Sequence, residues 1–234
     1  MRRPAHGEQP LDWVGSTKRD LLGFPEAVKD GIGTALSIAQ FGGKHPAAKP
    51  WKGAGSGVLE AVEDHGGNTY RAVYTVRFRW AVYVLHCFQK KSRRGIQTPK
   101  PDVELVAQRL RLAHRTMRID MAKPSAERSG KIVPSSGNVF ADLGFADAGE
   151  RQTKVHLAMA INDVLHRRGL SQGKAAELLG INQPKVSALS KYRLEGFSVE
   201  RLMRFLTALN QDVEIIVRNR PRTRRPGRVY VTAA

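Results

Sequence analysis

Residues 172–191 read QGKAAELLGINQPKVSALSK, with an apolar-periodic run on either side of a glycine. A helix-turn-helix needs a small residue where its two helices meet, a sharply turning residue four positions later, and apolar residues that hold the second helix. Ala176 is the small residue and Gly180 is the turn. The inward apolar face consists of Ile181, Val186 and Leu189. This spacing predicts a helix-turn-helix, a motif that binds double-stranded DNA. The alternative is two packed helices with a glycine between them.

The two helices of this motif carry their own capping residues. Ser171 precedes the first helix and Asn182 precedes the second, and both residue types cap helix N-termini. Burial of the apolar face leaves outward a set of side chains that suits base edges and phosphates: Gln183, Lys185, Ser187, Ala188 and Lys191. We expect Gln183 and Ser187 to contact bases. Gln172, at the start of the first helix, is the predicted phosphate contact.

Helical periodicity continues on both sides of the motif. Four helices are predicted in this half of the chain, at residues 153–168, 171–179, 183–191 and 198–208. Residues 212–218 alternate and predict a short strand. Residues 218–228 contain six arginines and no acidic residue, and they either contact DNA nonspecifically or form a solubilising tail. We therefore expect an all-α domain with a short terminal strand, followed by a basic tail.

The motif and its flanks also resemble a known family. Residues 172–191 resemble the helix-turn-helix of Cro/repressor-type (XRE) regulators. Three flanking segments resemble the HigA-type antitoxins of that superfamily: NVFADLGF at residues 138–145, GFSVERL at residues 196–202 and DVEIIV at residues 212–217. The resemblance covers about residues 136–220. It implies a homodimer that binds operator DNA and represses its own promoter.

The N-terminal half has a mixed pattern. Residues 1–15 are predicted to be a loose lead-in, and two helices follow, one capped by Ser16 and one opened by Pro25. An antiparallel meander is predicted at residues 58–63, 69–78 and 80–88, which are rich in Val, Tyr, Phe and Trp. A further helix begins at Pro101. This order predicts an α+β domain, with helices packed on a small antiparallel sheet, and residues 119–137 as a linker.

The strands of this half carry YRAVY at residues 70–74 and VYVLHCF at residues 82–88. KKS at residues 90–92 and TP at residues 98–99 follow before the helix. This arrangement is similar to the RelE/HigB superfamily of toxins, particularly its phage-derived HigB-like branch, over about residues 16–118. The resemblance implies a small α+β endoribonuclease that cuts messenger RNA, commonly on the ribosome, with no metal and no cofactor.

Such cleavage proceeds by attack of a 2′-OH on the adjacent phosphate. It needs a proton acceptor, a proton donor and positive charge at the phosphate. The resemblance assigns the positive charge to Arg71. Lys90 and Lys91 are candidate phosphate ligands, with a solvated loop as the alternative. Histidine titrates near neutrality, so His86 is a candidate general base, with a packed strand histidine as the alternative. Tyr74 is a candidate proton relay.

Composition narrows the class of partner. Lys and Arg number 39 against 21 Asp and Glu, a formal net charge of +18 that favours nucleic acid or an anionic membrane surface. No apolar run approaches the ~18 residues of a membrane span, and no secretory signal follows Met1. The single cysteine, Cys87, fits a reducing compartment. We therefore expect a cytoplasmic protein that binds nucleic acid and no membrane.

Together these features predict a fused toxin-antitoxin protein. Residues 16–118 would be the RelE/HigB-like toxin domain, residues 138–220 the HigA-like helix-turn-helix domain, and residues 221–234 the basic tail. The C-terminal domain would bind and repress its own operator and mask the mRNA-cleaving N-terminal domain. The alternative is a DNA-binding transcriptional regulator whose toxin-like domain is catalytically inactive.

Overall fold

The computed structural model describes residues 8–78, 80–90, 99–122, 132–217, 219, 229 and 231. The chain divides into two compact units, Met1–Ala148 and Gly149–Ala234, here called the N-terminal unit and the C-terminal unit. Several predictions concern residues outside the described ranges: Lys91, residues 123–131 of the predicted linker, and nearly all of the basic tail.

The N-terminal unit contains helices and strands in mixed order. They are β1 (Leu11–Val14), α1 (Thr17–Leu22), α2 (Glu26–Gln40), β2 (Lys49–Pro50), β3 (Val58–His65), β4 (Asn68–Thr75), β5 (Val82–Lys90), α3 (Lys100–Ala122), β6 (Ile132–Pro134) and α4 (Val139–Asp142). The strands form one sheet in the order β2-β3-β4-β5-β1-β6. The predicted meander is confirmed as β3, β4 and β5, which pair antiparallel.

The sheet is larger than the predicted meander, and it is not purely antiparallel. β1 pairs parallel with β5 on one side and antiparallel with β6 on the other. The prediction of a loose lead-in is therefore wrong for Leu11–Val14. All four residues are buried, including Asp12. A strand covered on both faces and flanked on both edges loses the polar-apolar alternation that identifies a strand in sequence.

The two faces of the sheet are covered by different helices. Phe24, between α1 and α2, packs its ring 4.9 Å from that of Tyr70 on one face. On the other face Val73 and Leu85 share a core with Val106 of α3. The pairing of β4 with β5 shifts between Val73 and Tyr74 and leaves Leu85 as the extra residue of a β-bulge. We call the face under α3 the α3 face.

The predicted linker is partly structured. α3 continues to Ala122, and β6 and α4 were not predicted. Asn138 caps α4, because its side-chain oxygen accepts hydrogen bonds from the backbone N–H groups of Phe140 and Ala141, at 2.9 and 3.2 Å. β6 has only three residues, and its partner β1 was itself missed. Residues 132–148 thus belong to the N-terminal unit.

The four helices predicted in the C-terminal half are confirmed. They are α5 (Ala148–Arg167), α6 (Gln172–Leu179), α7 (Gln183–Ser190) and α8 (Val199–Ala208). They bury a common apolar core that includes Leu157, Ile161, Leu189, Phe197 and Leu202. The predicted terminal strand is wrong for residues 212–217, which are described and belong to no strand. The described part of this unit holds only helices, so that part offers the segment no strand with which to pair.

None of the helices in the described ranges combines the length and the apolar composition that a membrane span requires.

Candidate nucleic-acid interface

The turn between α6 and α7 is built by Gly180. Its backbone is left-handed, at φ 61° and ψ 39°, and the N–H of the next residue, Ile181, donates to the carbonyl of Ala176 at 3.0 Å. A side chain in this conformation costs roughly 1 to 2 kcal/mol, which explains the glycine. At the other end of α6, the Ser171 hydroxyl accepts from the N–H of Lys174. Residues 171–181 therefore fix the start and the end of α6.

The second helix is fixed in the same way. The Asn182 side chain accepts from the N–H of Lys185 at 3.0 Å. Val186 and Leu189 are buried in the core of the unit, and the Asn162 amide donates to the Leu189 carbonyl at 3.1 Å. Ala176 is buried as predicted, whereas Ile181 is only partly buried. The described geometry therefore has each feature that a helix-turn-helix requires.

The predicted contact residues lie on the exposed side of these helices. Gln172, Gln183 and Lys191 are exposed, and Ser187 and Ala188 are partly exposed. A Cβ on Gly173 would lie 3.3 Å from Nε2 of Gln183. The Gln183 side chain therefore reaches the first turn of α6, so the predicted base contact and the predicted phosphate contact lie close together.

Lys185, a predicted DNA contact, does not extend freely into solvent but lies over the ring of Phe197. Its Nζ lies 5.1 Å from the centre of the Phe197 ring and would lie 3.1 Å from a Cβ on Gly196. Arg201 stacks near the same ring, at 5.9 Å. Both cations are therefore held over an aromatic side chain beside α7. Arg193, an exposed cation just beyond α7, was not among the predicted contacts, which end at Lys191.

A second group of candidate residues lies on the α3 face. Arg71 donates from Nη1 to Oε2 of Glu60 at 2.7 Å, across the β3–β4 pair. Their side chains are 19% and 14% exposed. Such a short, mostly buried ion pair neutralises the guanidinium that was predicted to stabilise a cleaved phosphate. In the described geometry the charge of Arg71 is therefore directed to Glu60.

His86 lies on the same face as Arg71. It stands opposite Val73, and Arg71 stands opposite Phe88, so the two residues are diagonal neighbours at roughly 7 to 8 Å. Its Nε2 lies 2.8 Å from Oδ1 of Asp102 at the start of α3, and its ring stacks on that of Phe88. Arg71 and His86 are therefore brought together, but α3 holds the histidine.

Arg109 of α3 completes this polar group. Its Nη1 donates to the carbonyl of Leu85 at 2.9 Å and lies 3.5 Å from Nδ1 of His86. Its Nη2 donates to the hydroxyl of Ser16 at 2.8 Å, and that hydroxyl donates to Asp20. Burial lowers the pKa of Arg109 from its ordinary value. A guanidinium beside Nδ1 favours the tautomer with the proton on Nε2, which then donates to Asp102.

Of the other predicted catalytic residues, Tyr74 lies on the opposite face of the sheet and Lys90 lies on the same face as Arg71. Tyr74 is fully buried and has its pKa raised by burial. Its hydroxyl has no hydrogen-bond partner among the described residues. Lys90 ends β5 and pairs in the sheet with Thr69, and Lys91 lies outside the described residues.

No metal site emerges from the described ranges. Groups of three or more His, Cys, Asp or Glu side chains that could hold an ion are not found among these residues.

Comparison with known families gives two separate matches. Residues 139–218 match a family described as a helix-turn-helix domain, and residues 19–111 match a family described as phage derived protein Gp49-like. A solved structure titled "Putative XRE Family Transcriptional Regulator" is 64% identical, and the match covers 38% of this chain and 99% of that chain, with a TM-score of 0.36. No curated protein matches. The chain therefore combines a Gp49-like domain with a helix-turn-helix domain.

The family boundary and the structural boundary do not coincide. The helix-turn-helix match begins at Val139, yet residues 139–148 belong to the unit that contains the Gp49-like domain. Trp13 of β1 donates from Nε1 to Asp142 of α4 at 3.0 Å, and a Cβ on Gly33 of α2 would lie 3.1 Å from the ring of Phe140. Ten residues of the helix-turn-helix match are therefore packed into the Gp49-like unit.

Proposed function

We propose that the protein is a toxin-antitoxin type regulator that binds operator DNA as a homodimer and represses its own promoter. The observation that carries this proposal is the geometry of α6 and α7: both helices are capped, Gly180 is left-handed, and Gln172 and Gln183 lie on one exposed surface. A formal charge of +18 supports attraction to the DNA phosphates.

In this proposal the first turn of α7 enters the major groove. Gln183 would hydrogen-bond an adenine edge through its amide, and Ser187, one turn later, would contact the next accessible base. Gln172 and the N-terminal N–H groups of α6 would bind a phosphate, and Lys191 would bind another. A bidentate amide-to-adenine contact contributes roughly 1 to 3 kcal/mol of discrimination.

The test is binding of the full chain to DNA from upstream of its own coding sequence. We expect Gln183→Ala to weaken binding to this DNA by about tenfold or more, and to weaken binding to unrelated DNA little. Thr207→Ala, an exposed change on α8, is the control and should bind like the unchanged protein. Equal loss on specific and unrelated DNA would argue against base contact by Gln183. A promoter reporter then measures repression.

We further propose that the Gp49-like domain is a metal-independent endoribonuclease for messenger RNA, held inactive by its own ion pairs. Arg71 would stabilise the phosphate charge and His86 would accept the 2′-OH proton. Glu60 and Asp102 must first release these two residues. The support is that Arg71 and His86 share the α3 face and that both are bound to carboxylates there.

The alternative is that the Gp49-like domain is inactive and serves only for contacts. The observations that favour it are that Tyr74 faces away from Arg71 and His86 and that both of these residues are already bound. In that case DNA binding is the only activity of the chain.

RNA cleavage by three proteins separates these proposals. The first is the full chain, the second is residues 1–148, and the third is the full chain with Asp102→Asn. A cut at residue 148 keeps β6 and α4, whereas a cut near residue 124 would remove both from the unit. Cleavage by the fragment alone indicates masking by the helix-turn-helix domain, and cleavage by the Asp102→Asn chain indicates restraint by α3. Arg71→Lys must abolish any cleavage, and Arg19→Ala, a highly exposed change on α1, must not.

A further inference from the structure

The segment that follows α8 exposes an unusual amount of apolar surface. Ile215, Ile216 and Val217 are 74%, 59% and 90% exposed. Val213, by contrast, packs against the core of the C-terminal unit. The segment is therefore anchored at Val213 and then leaves its apolar side chains in solvent. Large apolar side chains exposed together commonly mark an interaction surface.

The pattern of this segment is that of a strand that lacks a neighbour. In an extended chain Val213, Ile215 and Val217 point to one side, and Asp212, Glu214 and Ile216 point to the other. A lone strand has unpaired backbone N–H and C=O groups and is not stable by itself. Helices alone make up the described part of the C-terminal unit, so that part cannot supply a partner strand.

A second copy of the same segment can supply the partner strand, and symmetry then sets a specific register. If two copies pair antiparallel about a two-fold axis at Ile215, Val213 faces the partner's Val217 and the two Ile215 side chains meet. The apolar side that begins on the core at Val213 then continues across the axis.

Charge disfavours the parallel arrangement. An in-register parallel pair would set Asp212 against the partner's Asp212 and Glu214 against the partner's Glu214, and like charges directly opposite destabilise a strand pair. The antiparallel register separates these carboxylates. Closed two-fold symmetry also limits the association to two copies.

We propose that residues 212–217 form an antiparallel strand pair with the same segment of a second copy, centred on Ile215, and that this pair is the dimer interface. The inference rests on the proposed dimeric binding of operator DNA and specifies how the dimer forms. Such a pair would fix the spacing of the two α7 helices along the DNA.

The register is tested by cysteine substitution in the full chain. In the proposed pair the Cα atoms of the two residues 215 lie about 4.5 to 5.5 Å apart, within the range of a disulfide. Those of residues 217 lie on the order of 14 Å apart, because four residues separate each from its neighbour across the pair. Ile215→Cys should give a covalent dimer on mild oxidation, and Val217→Cys should give none. Cys87 is buried and does not compete.

Self-association is measured separately by sedimentation equilibrium. Ile215→Lys places two charges on the axis and should weaken dimerisation by about 100-fold or more. A monomeric unchanged protein, a dimer insensitive to Ile215→Lys, or cross-linking at residue 217 instead of 215 would each overturn the proposal.

DNA binding distinguishes this inference from the proposed function on which it rests. Ile215→Lys should still bind a DNA half-site, because α6 and α7 are unchanged, but should lose the tight binding to two half-sites. If the Ile215→Cys dimer forms and yet no DNA is bound, the strand pair stands and operator binding fails. If Ile215→Lys leaves the protein monomeric with full-site affinity unchanged, the dimer has no role in DNA binding.

Discussion

Replacement of Phe140 by alanine tests the assignment of residues 139–148 to the N-terminal unit. Phe140 lies within the helix-turn-helix match, yet its fully buried ring packs beside Gly33 of α2, with Phe145 6.1 Å away. If these contacts hold α4 in the Gp49-like unit, the loss of the ring destabilises that unit. If α4 belongs to the helix-turn-helix domain, the other unit loses stability.

The size of the effect follows from burial. Truncation of a fully buried phenylalanine to alanine costs about 3 to 5 kcal/mol, the sum of lost transfer free energy and a cavity. With a urea dependence of about 1 to 3 kcal/mol per molar, the unfolding midpoint should fall by about 1 to 5 M. Phe140→Leu keeps most of the volume and should cost about 1 kcal/mol, so the trend remains measurable if the alanine variant unfolds.

Tryptophan fluorescence reports the unfolding of the N-terminal unit alone. The three tryptophans of the chain are Trp13, Trp51 and Trp80, all in that unit. We expect Phe140→Ala to lower the urea midpoint seen by fluorescence, and to leave the loss of helical circular dichroism from the C-terminal unit unchanged. Phe197→Ala, a buried phenylalanine of the C-terminal unit, should do the reverse. A Phe140→Ala variant with an unchanged fluorescence transition would refute the assignment of α4.

Three further predictions concern single residues. Gly180→Ala should destabilise the C-terminal unit by about 1 to 2 kcal/mol in urea melts, because its φ is positive while its Cβ would meet no atom. Gly149→Ala, with equal space and no positive φ, should be neutral or stabilising. Burial lowers the pKa of His156 to about 4. The unfolded chain therefore binds more protons between about pH 6.5 and 4, so stability should fall as pH falls through that window, and His156→Gln should flatten the fall. Burial raises the pKa of the Cys87 thiol, and the native protein should resist thiol reagents at pH 8 until urea unfolds it.

Local signals were enough to predict the helix-turn-helix. Gly180, the two capping residues and the periodic apolar side chains all lie within twenty residues, and each acts on its own neighbours. Leu11–Val14 was missed because its burial depends on β5 and β6, which are distant in sequence. Residues 212–217 present the converse case, because alternation predicted a strand but a strand forms only where a neighbour exists. Both errors come from the same cause, which is that sheet pairing is not local.

On the α3 face, too, positions along one strand could be predicted, whereas contacts between distant elements could not. Arg71 and Tyr74 are three residues apart, so simple alternation already predicts opposite faces for them in a regular strand. The face of His86 depended on the bulge at Leu85, which shifts the register by one residue. Its partners Asp102 and Arg109 come from α3. Packing of helices on the sheet was predicted, but no sequence pattern showed which residues of α3 would meet His86.

The carboxylates bound to Arg71 and His86 both belong to the N-terminal unit itself. Within the N-terminal unit, β6 and α4 contact β1 and α2, whereas the residues bound to Arg71 and His86 come from β3 and α3. Removal of the helix-turn-helix domain after residue 148 leaves both carboxylates in place. In our proposal the fragment 1–148 therefore stays inactive, and Asp102→Asn with Glu60→Gln activates it, since each change keeps the side-chain volume and removes one charge. RNA cleavage by the unsubstituted fragment would contradict restraint by α3 and would return the masking role to the helix-turn-helix domain.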